Sequence, residues 1–113
     1  MAARKLLKSE WKGFLDAISK QLVGKQAEIE VASLALGDQL EAEWLPLQGL
    51  SYDPRSDLLD VALEGVGHQI SRPREIYVDS DVGGLTSIEI VDGDNVRQIV
   101  TFRDPLMLPA PHG

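Results

Sequence analysis

A chain of 113 residues with 43% hydrophobic side chains and a net charge of −7 has the size of one hydrophobic core, which predicts a single domain over 1–113. It contains no cysteine, which excludes a disulfide framework and thiolate chemistry. No apolar run approaches the ~20 residues of a membrane-spanning helix, and the N-terminus lacks a hydrophobic signal segment, so a cytoplasmic protein with no membrane contact is expected.

The first element is a helix over residues 9–22. Ser9 is a candidate cap, and Trp11, Phe14, Leu15, Ile18 and Leu22 recur on one face of a 3.6-residue period. Aromatic residues at that spacing belong to a core rather than to an exposed stripe. Gly24 stands where helices end in a left-handed residue, and Lys20 complements the dipole of the last turn.

The period then changes to two. Ala27, Ile29 and Val31 alternate with glutamates, as do Leu40, Ala42 and Trp44, which predicts strands over 26–36 and 39–45 joined by a turn at Gly37-Asp38. Leu34 and Leu36 fall on the opposite parity, so the pattern demands a bulge near Ala32-Ser33 or burial on both faces. Pro46 is expected to end the second strand, because it has no amide hydrogen for the ladder. Tyr52 to Asp57 reads as a turn between a short strand around Leu50 and a strand over 58–64. Gly65-Val66-Gly67 reads as a connection, and further strands are expected over 75–79, 85–91 and 96–103, with a loop from Asp79 to Gly84 and a tight turn at Asp92-Gly93-Asp94-Asn95. The proline-dense tail 104–113 is too apolar for an ordinary linker, so Leu106 and Leu108 are expected to pack on the domain or on a partner. The predicted fold class is therefore α+β: an amphipathic helix packed on a mostly antiparallel sheet of about six short strands. That element order also occurs in small closed β-barrels.

Motifs for chemistry are incomplete. Gly49-Leu50-Ser51-Tyr52-Asp53 begins like a nucleophile elbow but lacks its last glycine, and Pro54 stands where a helix should start. Gly65-Val66-Gly67-His68-Gln69-Ile70 opens like a dinucleotide fingerprint without its third glycine. His68 has no second histidine or cysteine at metal-binding spacing, so a surface or half-buried role is expected for it. Asp79 and Asp81 lie one strand away from Asp92 and Asp94, roughly 20 Å at about 3.3 Å per residue, so the two pairs cannot share an ion. No catalytic, cofactor-binding or metal-ligating residue is assigned, and no cofactor is expected.

The charge is unevenly placed. Residues 1–25 carry six cations against two carboxylates, a net +4, which leaves −11 for residues 26–113. A basic helix complementing an acidic sheet within one molecule is the simplest account, and the acidic balance argues against nucleic-acid binding.

The runs Ala27 to Gln39, Tyr52-Asp53-Pro54, Pro73 to Asp79 and Arg103 to Pro109 together resemble a bacterial family of small proteins classed as a domain of unknown function. The resemblance spans nearly the whole chain and implies a free-standing bacterial protein, with no activity or site residue to carry over. The expected function is a non-catalytic binding or assembly module, partnered by itself or by another protein. One alternative is a small-ligand binder or enzyme using the carboxylates Asp53, Asp57 and Asp60. A second is nucleic-acid binding through the basic N-terminal helix.

Overall fold

The structure, a computed structural model, describes residues 2–35 and 37–105. In chain order these form β1 (Ala2–Lys5), a 3₁₀ turn (Lys8–Glu10), α1 (Trp11–Leu22), β2 (Gln26–Ser33), β3 (Gly37–Asp53), β4 (Leu58–Leu63), β5 (Val66–Ser71), β6 (Glu75–Asp81), β7 (Gly84–Val91) and β8 (Arg97–Arg103).

Helix α1 buries Trp11, Leu15, Ile18 and Leu22, the face that its period marks out. Ser9 is not its cap. The 3₁₀ turn precedes the helix, and there the Glu10 carboxylate accepts the Leu7 amide at 2.8 Å, satisfying a donor that the turn leaves free. Gly24 does end the helix, at φ +94°. Trp11 is 1% exposed and meets Tyr52 of β3 edge to face, with ring centroids 5.2 Å apart. Beside them Ser19 Oγ accepts the Leu50 amide at 2.9 Å. A Cβ at Gly49 would stand 3.5 Å from the Ser19 hydroxyl, an ordinary van der Waals contact, so the helix and β3 meet here without requiring glycine.

The strands are ordered β1-β6-β7-β8-β2-β3-β4-β5 and pair antiparallel throughout. Among the described residues the two ends of that order are unpaired edges, so the sheet is open and not a barrel. Phe14 and Ile18 of α1 line one cleft with Val78 of β6 and Leu85 of β7, and Phe14 and Leu85 pack against the core.

Among the described residues there are eight strands rather than six. β1 is short and basic, without the alternation that announces a half-buried strand. β5 was hidden by its glycines: Leu63 pairs with Val66 across a two-residue turn in which Gly65 takes φ +77°, so the expected connection is a hairpin. β3 runs for 17 residues, well past Pro46. Pro46 pairs with Gln26 at the end of the β2 ladder, and its carbonyl accepts the Glu64 amide at 2.9 Å. The proline thus sits where β3 exchanges β2 for β4 as partner and needs no amide hydrogen.

The β2–β3 turn falls at Leu34 and Ala35, earlier than Gly37-Asp38, and Gly37 at φ +73° already pairs with Ser33. Neither expectation for Leu34 holds, because it is fully exposed in that turn. The bulges lie instead on β3, one of them at Trp44, which takes φ +50° and stacks under the Arg103 guanidinium at 4.0 Å. β6 extends to Asp81, so the expected Asp79–Gly84 loop shrinks to Val82 and Gly83. Leu36, Leu106 and Leu108 lie outside the described residues.

Candidate functional site

The two free edges differ in a way that sequence chemistry explains. β1 is four residues long and carries Arg4 and Lys5; lysine is a common means of blunting a sheet edge. Lys5 also reaches the Glu75 carboxylate of β6 at 3.0 Å, and the Tyr77 hydroxyl donates to the same oxygen at 2.9 Å. The Lys5 ammonium, followed by that hydroxyl, holds the Glu75 carboxyl below its usual range.

β5, Val66-Gly67-His68-Gln69-Ile70-Ser71, contains no lysine, arginine, aspartate, glutamate or proline. Among the described residues it pairs on one side only, with β4. Its inward-facing Ile70 is buried, whereas Val66, Gly67, Gln69 and Ser71 are exposed. Six residues of unpaired, uncharged strand form a template for another strand.

The rim beneath this edge is sealed by polar side chains. His68 Nε2 hydrogen-bonds to Gln98 Oε1 of β8, and Gln98 Nε2 donates to Asp92 Oδ2 at 3.0 Å. A carboxylate only accepts, so the Gln98 amide nitrogen must face Asp92 and its oxygen must face His68, which places the imidazole proton on Nε2. Asp92 Oδ1 meanwhile accepts the amides of Asp94 and Val96 at 2.9 and 3.1 Å. Gln98 is 7% exposed, and both its amide oxygen and its amide nitrogen are hydrogen-bonded. Next to it, Arg72 packs over Gly93 and pairs with Asp94 at 3.2 Å. The chain His68–Gln98–Asp92 therefore fixes β5 against β8 from within and leaves the outer side of β5 to solvent.

Sequence reasoning assigned no site here, although a signal was present. Val66-x-His68-x-Ile70 and Gln98-x-Val100-x-Phe102 each place a polar residue on an apolar parity, which means a polar group facing the core. That pattern asks for a buried partner.

The carboxylates weighed from sequence do not converge. Asp53 accepts the Arg55 amide and the Ser56 hydroxyl at 2.9 and 3.0 Å, as turn chemistry predicts. Asp57 accepts the Tyr52 hydroxyl at 2.6 Å, and burial first, then this bond, pushes the Tyr52 phenol up to about 12. Asp60 lies on the outer face, between Ser51 and Gln69. Ser51 is inside β3, not at a strand-to-helix elbow. Asp81 and Asp92 each bind amides of their own turns, at opposite ends of β7. Among the described residues, no three histidine or acidic side chains are grouped so as to hold a metal ion. A cleft of about 220 Å³ is lined by Ala3, Tyr77, Asp79, Ser87 and Glu89; Asp79 Oδ1 is excluded from solvent and has no hydrogen-bond partner among the described residues.

Four of the six N-terminal cations are paired within the molecule. Arg4 lies 3.6 Å from Glu10, Lys5 3.0 Å from Glu75, Lys12 2.9 Å from Asp16 and Lys25 3.0 Å from Asp104.

The model of a family of unknown function, DUF5335, matches residues 2–111. The chain belongs to that family. It is similar to an uncharacterized protein of Aquifex aeolicus (strain VF5), at 38% identity over 110 residues that make up 96% of this chain and 99% of the relative. No solved structure matches the chain. The DUF5335 match takes in the β5 edge and its polar seal. Among the described residues of this DUF5335 chain, no helix is long and apolar enough to cross a membrane.

Proposed function

We propose that this DUF5335 chain is a non-catalytic, cytoplasmic binding or assembly module that takes a partner's strand along the free edge of β5. The observation that carries the reading is the contrast between the edges: one is short and basic, the other is six residues without charge or proline. Strand addition uses backbone hydrogen bonds for affinity and asks little of individual side chains, which fits an edge made of Gly67, Gln69 and Ser71.

Three observations favour this over the alternatives. Asp53, Asp57 and Asp60 serve turn, tyrosine and outer face separately. His68 Nε2 is engaged by the Gln98 amide oxygen, which is not a nucleophile that the imidazole could activate. Intramolecular pairing of Arg4, Lys5, Lys12 and Lys25 reduces the positive field available to phosphates.

The test is site-specific photo-crosslinking in cells that natively make the chain. A photoreactive residue in place of Gln69 should give a discrete adduct, while one in place of Asp16, exposed on α1, should not. Equal labelling at both positions, or no adduct at Gln69, would refute the edge as a binding surface.

A further inference from the structure

We infer that the strand added to β5 is β5 of a second copy of this chain, paired antiparallel about a two-fold axis; the inference rests on the edge-binding reading above. Antiparallel pairing of a strand with itself is self-complementary, so the outward backbone groups within the overlap meet their counterparts on the other copy. Opposed residues must also share a face, because both copies turn their cores to the same side. Face matching leaves two registers with five residues of overlap. One is centred on His68, which opposes Val66 to Ile70 and Gly67 to Gln69; the other is centred on Gln69, which opposes Gly67 to Ser71. In both registers Gln69 faces residue 67 or 69 of the partner subunit.

Charge permits a like partner at this edge. A chain with net charge −7 repels its own copies over most of its surface, yet the seam residues Val66 to Ser71 carry no carboxylate. Two acidic side chains flank the seam: Asp60 is one strand further in, opposite Gln69, and the exposed Glu64 stands in the turn before Val66. Two Asp60 carboxylates would then lie three strand spacings apart, about 14 Å, beyond the screening length of roughly 8–10 Å. The other edge does not compete: pairing β1 of one copy with β5 of the next would leave new free edges and grow a fibre, and Arg4 and Lys5 blunt that edge. Six-residue strands bury less area than a standard stable interface, so the dimer is expected to be weak, with a midpoint on the order of 10–100 μM.

The absence of cysteine makes the geometry testable with single thiols. Opposed residues in an antiparallel ladder have Cα atoms about 4.5–5.5 Å apart, inside the range that a disulfide spans. Gln69 is exposed, and Gly67 has neither a positive φ nor any atom within 4 Å of an added Cβ, so both positions accept cysteine. Mild oxidation should give a covalent dimer from Gln69→Cys alone in the register centred on Gln69, and only from its mixture with Gly67→Cys in the register centred on His68. Asp16→Cys should give none. Sedimentation equilibrium of the full chain should show a monomer–dimer equilibrium, weakened at least tenfold by Gln69→Lys. A chain that stays monomeric to millimolar concentration and yields no disulfide at 67 or 69 above the Asp16→Cys background would overturn self-pairing. In that event a photo-adduct at Gln69 containing a different protein would keep the edge-binding reading, and its absence would end both.

Discussion

His68 of the edge strand and Gln98 of β8 are joined side chain to side chain across thirty residues of sequence, and Gln98 passes the link on to Asp92 at 3.0 Å. Gln98→Leu keeps the volume but leaves His68 and Asp92 Oδ2 without that partner. The expected loss is about 1–3 kcal/mol, measured as a shift in denaturant midpoint at unchanged slope. A change within about 0.5 kcal/mol would show that the seal contributes nothing beyond an ordinary surface contact.

Trp11→Ala removes a fully buried indole and its contact with Tyr52, and should cost about 3–5 kcal/mol. Trp11→Phe should cost clearly less, because it keeps an aromatic edge against Tyr52 and removes Nε1, a buried donor with no partner in the protein. Equal losses for the two variants would contradict this packing.

Tyr52 makes stability depend on alkaline pH. Its phenol rises from 10.0 to about 12 on folding, so the folded state holds the proton more tightly than the unfolded chain does. The stability this provides is complete below pH 10 and is lost as pH rises from there toward 12. Tyr52→Phe should flatten that part of the stability curve, although Tyr77, held up by its bond to Glu75, retains a share. A phenolate absorbance titration complete by pH 10.5 would contradict the burial of this hydroxyl.

Gly65 and Gly67 separate a hairpin from a loose connection. Gly65→Ala forces an alanine to φ +77° with no steric contact at its Cβ, so the backbone alone should make it cost about 1 kcal/mol. Gly67→Ala, in an ordinary strand conformation with open space around it, should be neutral or slightly stabilising. Equal effects at both positions would mean that β5 does not begin at Val66.

Helix α1 and most strands were legible because each buries one face, and burial writes its period into the residues. Turns rich in Asp and Gly, such as Asp92 to Asn95, were legible for the local chemistry of their side chains. What escaped was long-range. Pro46 reads as a stop by its own chemistry, and only the exchange of partners from β2 to β4 makes it harmless. β5 reads as a connection because its glycines and its unpaired side weaken the alternation, the same properties that leave its edge open. The His68–Gln98 bond joins two sheet segments whose approach no local pattern encodes, although the parity of each residue announced a polar group turned inward.

The central claim, that β5 takes a strand from a second copy, is tested most directly by backbone hydrogen exchange of the full chain across a dilution series. Outward amides of β5, at alternate residues among Gly67, Gln69 and Ser71, should exchange quickly in dilute solution and become protected as concentration rises through the midpoint, while β1 amides stay unchanged. Exchange in β5 that is independent of concentration up to the millimolar range would contradict the account.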